Sequence, residues 1–340
     1  MYLFYLTILA IATFIWGWIF YKKEYHPQPY KVIAISFIAG LLAMLPVFGY
    51  KYVYVHFFPH LSEIRILEPL VQSAFFDGLL FFFANMLIVV SLLTAFSGLI
   101  SLTLTLFKRE TLRNIKDALK DDEFEYVTMS SMLALLIFAE RLLEEFLNVS
   151  ILHTMVGVIM FLAILEEYVK HLTVRFVDDR KIKDVDDAIT LSIVVGLAFA
   201  FIETIIYAVN TGDIAIVLPR ALLTMPIHLI ASGIFGYYYG LAHFAKPITA
   251  AERKEKKYRI KFKWFHTILR MKKSDVYEEE KIAQGLVMAT LFHTLANLLF
   301  ELNLAFITVP LIVIGLIVIS YFYKESHFIY RLLHKRAKVK

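Results

Sequence analysis

Ionisable and metal-binding side chains occur in four consecutive apolar segments in the second half of this 340-residue chain. These side chains belong to Glu166, Glu167, Glu203, His228, His293 and Asn297. A charge near the centre of a bilayer costs several kcal/mol unless it is paired, faces a cavity or binds a ligand. Their recurrence on neighbouring segments therefore indicates a functional site inside the membrane.

The first of these segments ends in AILEEYVKH, where Glu166 and Glu167 precede Lys170 by four and three residues. On a helix, both carboxylates can lean toward the one ammonium. One glutamate is then suited to activate water, while its neighbour orients that water or helps to hold a metal. The structural alternative is a helix end whose charges reach cytoplasmic water.

The next two segments each carry a polar residue at membrane depth. Glu203 lies ~22 Å from the start of its segment and shares a helix face with Phe199. His228 falls near the middle of the following segment, after Arg220. A neutral imidazole is a metal ligand or a proton shuttle. A protonated packing glutamate and a histidine that only joins two helices are the alternatives.

His293 and Asn297 lie one helical turn apart in the fourth segment. A histidine and a carboxamide that point together suit metal binding or hydrogen bonding to an oxyanion. Ligand types that suit zinc, with a position left for water, are present in Glu167, Glu203, His228 and His293. The sequence thus makes Zn²⁺ a candidate cofactor.

Nine apolar segments are long enough to carry these side chains across a bilayer. Hydrophobic residues form 59% of the chain and charged residues 19%, and continuous runs of about twenty apolar residues favour helices over barrel strands. We predict an all-α, polytopic transmembrane bundle of about nine helices. The predicted segments are 2–21, 32–55, 78–107, 132–149, 151–174, 188–207, 214–244, 282–300 and 304–322.

The positive charges predict the orientation of this bundle. Of the 35 lysine and arginine residues, 30 lie in alternate connections and the carboxy-terminal tail, while the opposite side holds only Lys51, near the end of a segment, and Arg65. Because lysine and arginine accumulate on the cytoplasmic side, we place the amino terminus outside and the carboxy terminus in the cytoplasm. We expect a multi-pass protein of a bacterial or archaeal plasma membrane.

Charge and cysteine content limit the possible partners and chemistry. The net charge of +5 reflects topology, because the positive side faces anionic headgroups. We therefore expect anionic lipid as a partner at the cytoplasmic face and no nucleic acid. The chain has no cysteine, which excludes thiol catalysis, disulfide bonds and cysteine zinc sites.

We divide the chain into three parts. Residues 1–130 hold three helices and an amphipathic cytoplasmic segment at 108–126. Residues 131–323 form the helical core with the candidate site and a basic cytoplasmic loop at 246–281, and residues 324–340 form a basic tail.

Two other polar groups in the core have structural interpretations. In ERLLEEF at 140–146, Glu140 with Glu144 and Arg141 with Glu145 make i, i+4 pairs, of which the second is an ion pair, and we interpret the run as a structural ion-pair cluster. His171 lies near a segment end, where water can satisfy it.

In this order the motifs resemble those of the PrsW family of intramembrane proteases, which is related to the CAAX prenyl endopeptidase and bacteriocin-processing enzymes. The matching features, within roughly residues 165–300, are EEYVK at 166–170, DVDDAI at 184–189, FAFIE at 199–203, Arg220 with Pro226 and His228, Gly236 with Gly240, and HTLAN at 293–297. The family usually has asparagine where this chain has Thr204, whose hydroxyl can still donate a hydrogen bond.

The resemblance implies a membrane-embedded endopeptidase that acts on membrane-anchored proteins through glutamate-activated water or a bound metal. It implies Glu166 or Glu167 as the base and Asn297 as the oxyanion donor. Glu203, His228 and His293 are then metal ligands or electrostatic partners, and the supporting residues are Lys170, Phe199 and Arg220.

Two other classes of function fit the same residues. A proton- or ion-coupled transporter also uses intramembrane carboxylates and histidines, and a non-catalytic membrane scaffold could bind partners through the same cavity. Depth is a further consideration, because straight helices would separate Glu166 and Glu203 by ~10 Å along the membrane normal.

Overall fold

The computed structural model describes residues 2–49, 155–178, 182–251 and 272–335. Four features of the sequence analysis lie outside these residues: the predicted segments at 78–107 and 132–149, the amphipathic segment at 108–126 and the charged run at 140–146. Within them all regular structure is helical, which confirms the predicted all-α class for this part of the chain.

Eight helices carry labels below, and a short irregular stretch joins the fourth to the fifth. The helices are α1 (Tyr2–Tyr21), α2 (Tyr30–Leu42), α3 (Met155–Asp178), α4 (Val185–Thr211), α5 (Met225–His243), α6 (Ala245–Ala251), α7 (Lys273–Glu301) and α8 (Ala305–Lys335). The irregular stretch is a 3-10 helix at Ile214–Ile216, one α-helical turn at Val217–Pro219 and a π-helix at Arg220–Thr224.

Six candidate membrane spans occur among the described residues, so the chain is a multi-pass membrane protein. They are Leu3–Tyr21, Tyr30–Gly49, Val185–Thr211, Ile214–His243, Lys273–Glu301 and Phe306–Arg331. Helix α3 is long enough to span but is not among the six, because Glu166, Glu167 and Lys170 make it unusually charged. The total of nine helices and the direction of the termini stay predictions.

Two helices extend well beyond the apolar runs that predicted them. Helix α7 begins at Lys273, nine residues before the predicted segment, and α8 continues to Lys335 through most of the predicted basic tail. Hydropathy marks only the part of a helix that lipid surrounds, whereas Glu and Lys are good helix formers that continue the helix into water. The predicted loop at 246–281 is shortened at both ends for the same reason, since α6 also occupies its start.

The start of α4 explains the aspartate-rich run that precedes it. The Asp187 carboxylate accepts hydrogen bonds from the backbone N–H groups of Lys183 (2.7 Å) and Asp184 (3.1 Å). A carboxylate in the first turn satisfies otherwise unpaired amides and complements the helix dipole. At the other end, Gly212 adopts φ +66°, the left-handed conformation in which glycine ends a helix.

Helix α4 lies at the centre of the described bundle. In its most apolar stretch 78% of the residues are buried, whereas in that of α1 only 17% are. Glycines allow α5 to approach it closely: a Cβ at Gly236 would lie 2.7 Å from Ala188 O, and a Cβ at Gly196 would lie 2.9 Å from His228 O. Small residues at helix contacts let backbones approach in this way. The close contact fixes where His228 lies relative to α4.

The chain separates into two compact units, residues 1–41 with 162–340 and residues 42–161. The candidate site residues all belong to the first unit.

Candidate active site

Helix α3 presents three charged side chains to the interior of the first unit. Glu166, Glu167 and Lys170 are each no more than 4% exposed. The Lys170 ammonium donates a hydrogen bond of 2.7 Å to Glu167 Oε1, forming a buried ion pair. The alternative in which these charges extend to cytoplasmic water therefore does not hold in the structure.

His228, from α5, connects this pair to α4. Its Nδ1 lies 2.8 Å from Lys170 Nζ, and its Nε2 lies 3.0 Å from Glu203 Oε2. An ammonium has only donors, so Nδ1 accepts and the ring proton is on Nε2, facing Glu203. Both nitrogens of His228 thus contact protein groups, and Glu203 joins the same cluster as α3 despite the depth difference expected for straight helices.

His293, from α7, completes the cluster with its two nitrogens in different surroundings. Its Nδ1 lies 2.8 Å from Glu167 Oε1, and because a carboxylate only accepts, Nδ1 carries the proton. Its Nε2 lies 3.8 Å from Glu166 Oε2, beyond hydrogen-bond distance, and has no hydrogen-bond partner among the described residues. The side chain is fully buried. A buried lone pair therefore points toward Glu166.

Glu203 is also held from the opposite side by the π-helix. Arg220 NH2 lies 2.8 Å from Glu203 Oε2, and the guanidinium carbon lies 4.0 Å from the centroid of the Tyr207 ring. Arg220 is the first residue of the π-helix, an irregularity that is frequent at functional sites. The arrangement places a carboxylate between a guanidinium and an imidazole.

Phe199 forms an apolar wall beside these polar groups. Its ring centroid lies 4.5 Å from Lys170 Nζ and 5.6 Å from the His228 ring centroid. An aromatic face stabilises an ammonium and at the same time excludes water from it. The i, i+4 spacing of Phe199 and Glu203 on α4 thus places one residue against Lys170 and the other against His228.

A group of three residues has the arrangement that a metal ion requires. One ligand atom each from Glu166, His228 and His293 lie within 4.8 Å of one another, and all three residues are buried. A carboxylate and two imidazoles are a common donor set for catalytic zinc. The unpartnered Nε2 of His293, with Nδ1 oriented by Glu167, fits this use, because metal-binding histidines usually donate their other N–H to a carboxylate. His228 fits if it exchanges one of its two present contacts for the ion.

This group differs from the set expected from sequence, which had Glu167 and Glu203 as ligands and Glu166 only as a base. Glu167 Oε1 contacts both Lys170 and His293, and Glu203 Oε2 contacts Arg220 and His228. The two carboxylates expected to bind metal are therefore paired with protein cations and donors. Sequence spacing could not distinguish Glu166 from Glu167, because either can face Lys170.

Asn297 and Thr204 do not join the cluster. Asn297 is half-buried one turn after His293, and its side chain forms no hydrogen bond with another described residue. The Thr204 hydroxyl donates to Ala200 O at 2.7 Å, within its own helix. A threonine on a helix commonly bonds the carbonyl four residues earlier, so its hydroxyl does not replace an asparagine side chain at the site.

His171 is not satisfied by water, as its position near a segment end had suggested. It is fully buried, with its ring 4.6 Å from the Phe235 ring and 5.8 Å from the Tyr239 ring. The helix continues seven residues beyond it to Asp178, and this extension keeps His171 inside the bundle.

Tyr207, which stacks on Arg220, was not among the candidate site residues. Its i, i+4 spacing from Glu203 was the signal in the sequence that could have identified it.

Comparisons with known proteins agree with the family that the motifs resemble. The model of one protein family, described as PrsW family intramembrane metalloprotease, matches residues 126–323. Protease PrsW of Geobacillus kaustophilus (strain HTA426) is 31% identical over 134 residues, a match that covers 36% of this chain and 59% of that protein. No solved structure matches the chain.

Proposed function

Because the chain belongs to the PrsW family of intramembrane metalloproteases, we propose that it is an endopeptidase that hydrolyses peptide bonds of membrane-anchored proteins at the α3–α4–α5–α7 cluster. The observation that carries this proposal is the setting of His293, whose Nδ1 is held by Glu167 while its unpartnered Nε2 faces Glu166. One adjacent glutamate thus orients the histidine, and the other lies where a reacting group would be.

The contacts support different roles for the two adjacent glutamates. Glu167 accepts hydrogen bonds from Lys170 and His293 on one oxygen, so it is an anion that positions other groups. Glu166 lies beside the free lone pair of His293 and is the base that takes a proton from the attacking water. This division accounts for the presence of two glutamates with one lysine.

Arg220 forms the positive side of the proposed site, and the Glu203 carboxylate lies between it and His228. The His228 ring keeps its proton on Nε2, and Arg220 offers further donors beside Glu203. Donors in a water-poor site stabilise an oxyanion more strongly than they would in water. We assign the Arg220 guanidinium, together with the Asn297 amide once substrate is present, to the developing negative charge of the peptide carbonyl. The Glu203 carboxylate positions Arg220 and His228.

A metal ion is part of the proposal, and one carboxylate oxygen of Glu166 together with one nitrogen each of His228 and His293 would hold it. The second oxygen of Glu166 is then left to take the proton from water. When bound there, Zn²⁺ makes water easier to deprotonate and polarises a carbonyl oxygen. Glu167 keeps the His293 ring oriented in either case, whereas Lys170 orients His228 in the ion-free arrangement.

Cleavage by the purified full chain in liposomes tests the proposal. A library of single-pass membrane proteins is the substrate, and we expect cleavage by the natural sequence and none by Glu166→Gln or His293→Ala. Glu301→Gln, on the exposed end of α7, is the matched control and should cleave normally. Absence of cleavage by the natural sequence, or equal cleavage by all variants, contradicts the proposal. Ion uptake that Glu203→Gln abolishes, without cleavage, would indicate a transporter.

A further inference from the structure

An apolar groove runs between α1, α2 and α4, away from the proposed active site. A cavity of about 520 Å³ is lined by residues such as Phe14, Gly17, Trp18, Ala34, Leu197 and Phe201. On α4, Leu197 lies two residues before Phe199 and Phe201 lies two residues after it. Because two residues turn a helix by about 200°, both side chains lie on the face opposite Phe199 and the catalytic cluster. The groove is therefore separated from the catalytic cluster by the width of α4.

The groove continues along most of α1. A second cavity, lined by Leu6, Ile11 and Ile205, shares Phe14 and Phe201 with the first. From Leu6 to Tyr21 the helix rises ~22 Å, which exceeds half of the ~30 Å hydrocarbon thickness. The shape thus suits an extended apolar chain that lies along the membrane normal.

The groove is accessible from the side, at the depth of the lipid chains. Phe14 is 68% exposed and Trp18 is 40% exposed. Side chains of the described residues do not fill the space between α1 and α2 there, so an apolar molecule from the bilayer can enter it. Such a molecule would cover surface that is otherwise in contact with mobile lipid.

One end of the groove carries tyrosine and lysine side chains of the kind found at the level of lipid headgroups. The rings of Tyr21 and Tyr30, which both line the groove, stack at 5.5 Å, and Tyr21 OH donates to Gln28 O. Lys22 Nζ lies 4.8 Å from the centroid of the Trp18 ring, which places an exposed ammonium at the mouth. Aromatic residues with an adjacent lysine are typical of the level of lipid phosphates.

Among the described residues, little negative charge lies close to this mouth. Lys22 forms no ion pair with another described residue. The nearest acid in sequence, Glu24, is buried, and its Oε2 accepts from Gln28 N. The mouth therefore has an excess of positive charge, beside an apolar groove with the dimensions of an acyl chain.

We propose that the α1–α2–α4 groove binds one anionic phospholipid, with an acyl chain along Gly17, Leu197 and Phe201 and the phosphate at Lys22. Complementary charge distinguishes this occupant from a zwitterionic lipid and from an apolar protein helix. The bound lipid fills the space between α1 and α4 and holds α1 against the helix that carries Glu203.

Fluorescence of Trp18 provides a direct test, because the chain has only three tryptophans. The Trp16→Phe/Trp264→Phe protein retains Trp18 alone, and it is reconstituted in mixtures of brominated and plain lipids with matched chains. We expect brominated phosphatidylglycerol to compete for the site about fivefold better than brominated phosphatidylcholine, as one lysine near the surface would produce. Equal quenching by the two lipids overturns the proposal.

Two variants, each with a control, test the binding of the lipid headgroup and of its acyl chain separately. Lys22→Glu should remove the preference for phosphatidylglycerol, whereas Lys324→Glu, an exposed lysine on α8, should not. Gly17→Leu should reduce quenching by both lipids, because the side chain enters the groove where a Cβ meets only Leu197 at 3.7 Å. Ile15→Phe adds bulk on an exposed part of the same helix and should have no effect. Unchanged quenching in Gly17→Leu contradicts the proposal.

A photo-crosslinking residue at Phe14 identifies the occupant independently. An adduct of lipid mass supports the proposal. An adduct with residues 50–154 of the same chain, or with a second copy, overturns it.

Discussion

Lys170 Nζ lies 2.8 Å from His228 Nδ1, so a buried ammonium on α3 donates to an imidazole on α5. This contact fixes the proton of His228 on Nε2, which faces Glu203 on α4. Glu203 in turn meets Arg220 from the π-helix. One lysine therefore determines the orientation of groups on three other parts of the bundle, and Glu167 keeps that lysine in place.

The two adjacent glutamates should respond differently to the same substitution. We expect Glu166→Gln to lower the rate of cleavage about 10²- to 10⁴-fold, the contribution of a general base, with little change in stability. Glu167→Gln should lower the thermal midpoint as well, because it leaves Lys170 buried without its anion. Cleavage rates and thermal unfolding of both variants provide the measurement. A larger loss of stability in Glu166→Gln would reverse the assigned roles.

The Lys170–Glu167 pair should show strong energetic coupling. Removing one member of a buried ion pair typically costs about 3–5 kcal/mol, because the other charge stays buried and uncompensated. We therefore expect Lys170→Met and Glu167→Gln each to destabilise the protein strongly and the double variant to be less destabilised than the sum. A double-mutant cycle by denaturant unfolding measures this coupling. Additive effects would show that the two charges do not interact in the folded protein.

Metal content should depend on His293 more than on Glu203. Among the described residues, His293 Nε2 is buried and has no hydrogen-bond partner, whereas Glu203 is already paired with Arg220. We expect elemental analysis of the purified protein to find about one zinc per chain, in line with a single three-residue group. His293→Ala should lose the zinc, and Glu203→Gln should retain most of it.

Chelation gives the complementary observation. Removal of zinc should abolish cleavage, and added zinc should restore it in the natural sequence but not in His293→Ala. A metal-free protein with full cleavage activity would exclude the metal role and leave Glu166 as base without an ion.

Gly196 should tolerate no side chain. A Cβ there would lie 2.3 Å from Ser232 Oγ and 2.9 Å from His228 O, so α5 would have to move away from α4. We expect Gly196→Ala to destabilise the protein by about 1–3 kcal/mol, as overpacking does, and to reduce cleavage by displacing His228. Gly17→Ala is the matched control, since its Cβ meets only Leu197 at 3.7 Å. An unchanged thermal midpoint in Gly196→Ala would contradict the close helix contact.

Glu24, in the connection between α1 and α2, should make stability depend on pH. Burial, together with the charges of Asp186 and Asp187, raises the pKa of the Glu24 carboxyl from 4.5 to about 8, against the opposing hydrogen bonds from Gln28 and Thr190. The folded protein therefore favours the protonated form. Its stabilising effect is complete below pH 4.5 and is lost as the pH rises through about 8.

The Glu24→Gln variant should remove this dependence. Between pH 5 and pH 9 we expect the thermal midpoint of the natural sequence to fall by about 3 °C or more relative to Glu24→Gln. Glu279→Gln, at an exposed position on α7, should behave like the natural sequence. Parallel pH profiles for the natural sequence and Glu24→Gln would show that Glu24 is ionised in the folded protein at neutral pH.

Much of the helical architecture follows from sequence, because lipid allows few spanning structures. The first helix was predicted at 2–21, the range of α1, and the apolar cores of α4, α5, α7 and α8 were located correctly. Helix ends were less predictable, since α7 and α8 continue into polar sequence where hydropathy carries no signal. The α3 helix was predicted at 151–174 although its buried charges exclude it from the composition of an ordinary span.

The sequence alone determined which residue types occur at membrane depth and at which helical spacing, and so it identified Glu166, Glu167, Glu203, His228 and His293 as one candidate site. Only the tertiary structure decided how these residues are divided. Glu167 meets Lys170 and His293, Glu203 meets Arg220, and Glu166 is left beside the lone pair of His293. The physical reason is that spacing places side chains on a helix face, whereas hydrogen-bond partners depend on the rotation and approach of neighbouring helices, which Gly196 and Gly236 set through contacts distant in sequence.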